Sequence, residues 1–117
     1  GKNPQEKAAV DAANHWLGLV DRRDNDGMWN NLSPIAASMI TKESFTSQVA
    51  RVRDMLGELK QREFAKAEHK TSLPGVPDGN YYLLEFKTSF EKKKEAVETI
   101  IMHESDGTWK VCGYFMR

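Results

Sequence analysis

The feature that most constrains the fold is a run of three strand-like segments at the C-terminal end of the chain. Residues 81–90, 96–104 and 108–116 are rich in β-branched and aromatic side chains and alternate between apolar and polar residues. A charged turn at residues 91–94 separates the first two, and Asp106-Gly107 separates the last two. Because short turns join antiparallel neighbours, the sequence predicts an antiparallel three-stranded meander.

The register of this meander decides which side chains face the core, because a shift of one residue moves every side chain to the other face. We expect Phe90 to pair with Glu95 across the charged turn. We expect residues 105–107 to form a three-residue loop that pairs Glu104 with Thr108. The predicted core face then comprises Tyr82, Leu84, Phe86, Phe90, Val97, Ile101, His103, Trp109, Val111 and Phe115.

The opposite, outer face of the predicted meander carries apolar side chains among its charges. They are Leu83, Ile100, Met102 and Cys112. Two interpretations stay open, because scattered surface apolar residues are normal, whereas a contiguous patch marks an interface. These four residues are therefore the predicted contact surface for a homodimer or a partner protein.

The first half of the chain carries helix signals. An N-cap before Pro4 begins a helix whose apolar residues recur every three or four positions up to about Arg23. Ser33 before Pro34 and then Thr41 begin further helical segments, and Gly57 can end the last of them. Residues 58–70 combine a helix-forming composition with weak alternation, so the pattern alone does not decide their structure.

The chain length of 117 residues suits one domain with one core. We expect an α+β domain over residues 1–117, with a helical half at about 4–57 and a sheet half at about 58–117. The apolar face of the sheet must be covered, and the helices are the elements that can cover it. The beginning of the chain does not resemble a signal peptide, and Gly1 in place of methionine hints at trimming.

Composition and motifs argue against several classes of function. Seventeen Lys and Arg residues balance seventeen Asp and Glu residues, so no net charge attracts nucleic acid. No apolar run of about 18 residues exists, so an integral membrane protein is not expected. His15, His69 and His103 lie on different elements, and Cys112 is the single cysteine. Without a metal-ligand or nucleotide-binding spacing, we expect no metal and no cofactor.

One place brings polar and aromatic groups together on the predicted core face. Tyr82, His103 and Trp109 form a row across three strands, beside the turn-rich loop of residues 72–80, and Trp16 on the first helix would line any pocket behind them. Such a rim can orient a ligand or handle a proton. Alternatively, the rings close the end of the core with their polar tips in water. The candidate ligand-binding residues are Trp16, Tyr82, His103 and Trp109.

Taken together, these residues are similar to a known family. The chain resembles the bacterial family named domain of unknown function 4019, and the most specific part of the match is SLPGVPDG at residues 72–79. Phe45 stands where tryptophan is expected, which affects packing more than identity. The other matching residues are His15-Trp16-Leu17, Asp21, Trp29, Arg53, Gly57, Arg62, Tyr81, Phe86, Thr88, Phe90, Glu98, Asp106-Gly107, Trp109 and Gly113-Tyr114-Phe115.

The resemblance implies a fold and a location but no reaction. It implies the cone-shaped α+β scaffold shared with nuclear transport factor 2 and ketosteroid isomerase. Residues 58–70 would then be a strand carrying Arg62, which gives a curved antiparallel sheet of about four strands. Relatives commonly carry export signals, which implies an extracytoplasmic protein that is periplasmic, secreted or lipid-anchored.

The expected function is that of a noncatalytic binding or interaction module for a small molecule or a protein. One alternative is an enzyme that uses a concave pocket of the ketosteroid-isomerase type. That chemistry needs an aspartate base facing an oxyanion hole, and the predicted core face offers Tyr82 and His103 but no carboxylate. A second alternative is a structural subunit that forms a homodimer through the outer sheet face.

Overall fold

The computed structural model describes residues 3–117. Gly1 and Lys2 lie outside the described residues, and so does the expectation of trimming, which rests on Gly1. Helices precede strands along the chain, and the protein is an α+β fold with a four-stranded antiparallel sheet. The elements are α1 (Pro4–Asp21), α2 (Asn25–Asn30), α3 (Pro34–Ala37), α4 (Lys42–Leu56), β1 (Leu59–Lys70), β2 (Tyr81–Phe90), β3 (Lys93–Ser105) and β4 (Thr108–Met116).

Each helix begins at a residue whose side chain caps it. The side chains of Asn3, Asp24, Ser33 and Thr41 accept hydrogen bonds from the free N–H groups of the first turns of α1, α2, α3 and α4. Gly57 ends α4 with φ of 76°, a conformation that costs glycine little. The helix starts at Pro4, Pro34 and Thr41 and the helix end at Gly57 are therefore confirmed.

The sheet has the order β1-β2-β3-β4, and every neighbouring pair is antiparallel. Within residues 58–70, which the pattern left undecided, Leu59–Lys70 form the edge strand β1, as the resemblance implies. Two register shifts interrupt its pairing with β2, one between Leu59 and Gln61 and one between Phe64 and Lys66. These bulges weaken the periodicity that would otherwise have indicated a strand.

The predicted register of the meander is wrong by one residue along most of the β2–β3 pairing and at the second turn, and by two residues at Phe90. Phe90 pairs with Lys93 rather than with Glu95, after a bulge in the preceding ladder. The second turn has two residues rather than three, so that Ser105 pairs with Thr108. Its two central residues, Asp106-Gly107, have φ of 53° and 78°, as a type I′ turn requires.

This shift exchanges the two faces of β3. Ile100 and Met102, predicted on the outer face, lie in the core, while Val97, Ile101 and His103, predicted in the core, lie on the outer face. In β4 the pairing with β3 is irregular at Cys112. Residues before Cys112 face the sides that the sequence predicted, and residues after it face the opposite sides. Val111 is therefore buried as predicted, whereas Phe115 is 59% exposed and not in the core.

The core lies between α1 and the sheet. Ala9, Ala13, Trp16, Leu17 and Val20 of α1 are buried against the strands, and Met28 and Val49 extend the contact from α2 and α4. Across from them lie Tyr82, Leu84, Phe86, Ile100, Met102 and Val111. A smaller cluster of Leu56, Phe90 and Ala96 fills the end near the β2–β3 turn. No helix of the described residues has the length and hydropathy needed to cross a membrane.

Candidate functional site

Six polar side chains meet between the helices and the sheet, near the β2–β3 turn, and we call them the ionic network. Each comes from a different element, so the network involves both long helices and all four strands. Its members are Asp21 of α1, Arg53 of α4, Arg62 of β1, Thr88 of β2, Glu98 of β3 and Tyr114 of β4.

Glu98 is the centre of the ionic network and is fully buried. Its carboxylate accepts hydrogen bonds from the Nε of Arg62 at 2.7 Å, from the hydroxyl of Thr88 at 2.6 Å and from the hydroxyl of Tyr114. A buried carboxylate without partners would be strongly destabilising. The three donors explain why Glu98 can occupy a position on the core face of the sheet.

Asp21 links the same arginine to the helices. Its carboxylate accepts hydrogen bonds from the Nη1 of Arg62 and the Nη1 of Arg53, both at 2.8 Å. Burial opposes the ionisation of Asp21, but the hydrogen bonds and charges of Arg62 and Arg53 outweigh it and lower the pKa of this carboxyl. Burial likewise opposes the charge of Arg62, and its bonds to Asp21 and Glu98 raise its pKa above the usual value.

Arg53 and Tyr114 close the ionic network on its apolar side. The guanidinium of Arg53 is buried and lies 5.0 Å from the centre of the Phe90 ring, a cation–π distance. Burial, with the adjacent charge of Glu98, raises the pKa of the Tyr114 hydroxyl, so this group stays a neutral donor. The two arginines balance the two carboxylates in charge. The network can therefore fix α1 and α4 on the sheet without a bound ion.

The predicted aromatic rim is only partly assembled. Tyr82 and Trp109 lie side by side on the core face, with ring centres 5.5 Å apart. Trp16 is buried, donates its indole N–H to the carbonyl oxygen of Met28 at 3.0 Å and packs on Tyr114. The predicted core-face position of His103 is wrong, because the shifted register turns it to the outer face.

On the outer face, His103 stacks on Tyr81 with ring centres 4.7 Å apart. The loop before β2 folds over this pair, since the Tyr81 hydroxyl donates to the carbonyl oxygen of Pro77 at 2.6 Å. Gly79 of the same loop leaves little room for a side chain, because an added Cβ would lie 3.2 Å from the Nε2 of His103. His103 therefore belongs to the packing of this loop on the sheet.

His69 takes the place beside Tyr82 that the sequence assigned to His103. Its ring centre is 5.0 Å from that of Tyr82, and its Nε2 lies 2.6 Å from the Oδ1 of Asn80. The side-chain amide of Asn3 donates to the Tyr82 hydroxyl at 3.3 Å. Sequence reasoning missed His69 because the pattern left β1 undecided, and only the β1–β2 register places it opposite Tyr82.

The four predicted interface residues do not share a surface. Ile100 and Met102 are buried, whereas Leu83 and Cys112 are half-buried. Burial raises the pKa of the Cys112 thiol, which makes it a poor nucleophile. A dimer contact through Ile100 and Met102 is therefore not available in this fold.

Among the clefts that the described residues form are three that the four residues of the predicted rim do not line. One, of about 560 Å³, lies on the outer sheet face near the β2–β3 turn, and we call it the outer-face cleft. A second, of about 250 Å³, lies between α4 and β4, and we call it the α4–β4 groove. The third, of about 580 Å³, is a shallow depression beside α3.

Charged side chains line the outer-face cleft. Lys87, Lys94 and Arg117 supply positive charge, and Glu63 and Glu95 supply negative charge. Among the described residues, no group of three or more His, Cys, Asp or Glu side chains is arranged to hold a metal ion. The charged side chains of this cleft can form ion pairs and hydrogen bonds with a polar ligand.

Comparison with known proteins gives a family and a fold. A family model described as "Protein of unknown function (DUF4019)" matches residues 12–114. The chain belongs to this family. A solved protein from Kribbella flavida DSM 17836 is similar to this DUF4019 domain over 94% of the present chain and 85% of its own, with 16% identity and a TM-score of 0.56. That likeness is one of fold alone, and no curated protein matches the chain.

All six residues of the ionic network are among those that carry the family resemblance in the sequence. The resemblance therefore marked the residues of the network without assigning them a role. What the sequence could not supply was their convergence, because it depends on the register of β3 and on the position of β1 at the sheet edge.

Proposed function

We propose that this DUF4019 domain is a noncatalytic binding module and that the outer-face cleft is its ligand-binding site. The observation that carries the proposal is the cleft itself. Its volume of about 560 Å³ lies in the range of small-molecule sites, and polar side chains line it. The ionic network supports a role without catalysis, because the carboxylates of Asp21 and Glu98 are already engaged by arginines.

The walls of the cleft are strands rather than loops, which suits a site of fixed shape. Gln61 and Glu63 come from β1, Lys87 and Ser89 from β2, and Val97 from β3. These strands are paired with one another along their length. A ligand would therefore meet side chains whose backbone positions are set before binding.

The charges of the cleft favour a ligand that carries an anionic group. Lys87 and Lys94 form no salt bridge with the described residues, and Arg117 has one loose contact, 3.7 Å from Glu85. Three cations are thus available for a carboxylate or a phosphate. Glu63 and Glu95 would in addition accept hydrogen bonds from an amino or hydroxyl group. A small zwitterion has both kinds of group.

Titration of the isotope-labelled protein with the dipeptide glycyl-glutamate and, separately, with inorganic phosphate tests this proposal. We expect saturable amide shifts at Lys87, Ser89 and Val97 for at least one probe. The double variant Lys87→Glu/Lys94→Glu should remove them, whereas Lys70→Glu, at the far end of β1, should not. The proposal fails if neither probe shifts these amides, or if the double variant responds like the wild type.

We also propose that the domain is extracytoplasmic, either periplasmic, secreted or lipid-anchored. The support is membership of a family whose members, as the resemblance implies, commonly carry export signals. Fractionation of cells that express the natural gene tests this placement. Recovery of the protein in the cytoplasmic fraction alone would contradict it.

A further inference from the structure

The two edges of the sheet differ in how their main-chain groups are protected. Arg117 exchanges both of its backbone hydrogen bonds with Val97, at 2.9 and 3.0 Å. Because bonding directions alternate along an antiparallel strand, Phe115 and Gly113 also bond inward to β3. The N–H and C=O groups of Tyr114 and Met116 therefore point away from the sheet, along the open edge of β4.

The chain itself fills the earlier part of this edge. The N–H of Val111 donates to the carbonyl oxygen of Asn31 at 2.9 Å, and its carbonyl oxygen accepts from the N–H of Ser33 at 2.7 Å. Leu32 thus forms a parallel bridge with Val111, and the chain then turns away at Pro34 into α3. No hydrogen bond from the described residues reaches the outward groups of Tyr114 and Met116.

An apolar surface adjoins the open part of the edge. The α4–β4 groove, of about 250 Å³, is lined by Phe45, Val49 and Val52 of α4 and by Phe115 and Met116 of β4. Val52 is 42% exposed and Phe115 is 59% exposed. An added strand would thus find hydrogen-bonding groups along the edge and an apolar groove for alternate side chains.

The edge formed by β1 carries the features that prevent strand addition. It has two bulges and the exposed lysines Lys60 and Lys66. By contrast, residues 113–116 of β4 contain no charged residue and no proline. The open edge of β4 is therefore the one suited to pairing with another strand.

We propose that an extended segment of a partner polypeptide adds to the sheet as a fifth strand along residues 113–117. Its main chain would form hydrogen bonds with the backbone groups of Tyr114 and Met116. It would lie on the same edge of β4 that Leu32 covers at Val111. Arg117 ends the open stretch, Lys110 precedes it and also donates to the carbonyl oxygen of Asn30 at 3.3 Å, and no carboxylate lies between the two cations in β4. The partner strand is therefore apolar at alternate positions and acidic at its ends. A second copy of this β4 would bring the same two cations and fits less well.

Hydrogen exchange and peptide titration test the proposal. The probe is a capped seven-residue peptide of alternating valine and threonine with glutamate at both ends. In the free protein, the amides of Tyr114 and Met116 should exchange quickly and those of Gly113 and Phe115 slowly. Saturating peptide should slow exchange at Tyr114 and Met116. The same peptide with alternate amides N-methylated should not bind, and one with lysine ends should bind more weakly at low salt.

Three variants identify the groups involved. Met116→Pro removes the outward N–H and should weaken peptide binding by about tenfold or more, whereas Met116→Ala keeps that N–H and should change it by less than about threefold. Val52→Asp should also weaken binding of the acidic peptide by about tenfold, which covers the case in which the proline variant does not fold. Three results would each overturn the proposal. The first is failure of the peptide to bind at about millimolar concentration, and the second is equally good binding of the methylated peptide. The third is a free protein that is a dimer already, with the amide of Tyr114 protected.

Discussion

The two ends of the helix–sheet interface are built from opposite chemistry. Glu98 and Met102 lie on the same face of the same strand, and both are buried. Around Met102 the neighbours are apolar, with Trp16, Leu84 and Val111 in the same core. Around Glu98 they are two arginines, an aspartate and two hydroxyl groups. The comparison shows that one strand face can bury a methionine and a carboxylate four residues apart when each has suitable partners.

The largest expected effect comes from moving the carboxylate to the apolar end. Met102→Glu places there a charge for which the surrounding core holds no cation, so it should cost more than about 4 kcal/mol and leave the chain largely unfolded. Ile101→Glu, one residue earlier and on the outer face, should cost less than about 1 kcal/mol. Circular dichroism with urea unfolding checks both. Equal tolerance of the two substitutions would contradict the register as well as the comparison.

A smaller effect is expected from the hydroxyl groups at the two ends. Tyr114→Phe removes a donor to a buried carboxylate and should lower the free energy of unfolding by about 1.5–3 kcal/mol. Tyr82→Phe removes a hydroxyl whose bond to Asn3 is long, at 3.3 Å, and should lower it by less than about 1 kcal/mol. Urea unfolding at neutral pH gives both values. A larger loss for Tyr82→Phe than for Tyr114→Phe would contradict the idea that the ionic network depends more strongly on its hydroxyl donor.

The smallest effect is a dependence on acid pH that belongs to the ionic end. The pKa of Asp21 is lower in the folded chain than in the unfolded chain, despite burial, because of Arg62 and Arg53. Its contribution to stability is therefore present above the unfolded pKa of about 4 and is lost as pH falls through the folded pKa. Between pH 6 and pH 2.5, the urea midpoint of the wild type should fall more than that of Asp21→Asn. Parallel pH profiles would show that Asp21 is not paired in this way.

The helices of the fold could be predicted from sequence because their signals are local. Asn3, Ser33 and Thr41 each bond within the turn that they begin, so composition and spacing are enough. The strand β1 could not be predicted from its pattern, since its bulges break the alternation and its residues favour helix. Only the family resemblance indicated it, through Arg62.

The register of the meander shows where sequence reasoning reached its limit. At the second turn, a two-residue and a three-residue loop both suit Asp106-Gly107, and only the former places Glu98 in the core. Burying Glu98 instead of Val97 is unfavourable unless the carboxylate has partners, and those partners are Arg62 and, through it, Asp21. Because Arg62 lies 36 residues before Glu98 and 41 residues after Asp21 in the sequence, no local pattern reveals these partners. The candidate site at the outer-face cleft depends on the same register.

A double-mutant cycle on Arg62 and Glu98 tests most directly the claim that the buried charges of the ionic network stabilise one another. Urea unfolding gives the free energy of unfolding for Arg62→Met, Glu98→Leu and the double variant. Each single change leaves a buried charge with fewer partners and should cost about 3–5 kcal/mol, and the double variant should cost less than their sum by about 1 kcal/mol or more. Single costs below about 1 kcal/mol that add within about 0.5 kcal/mol would contradict the account.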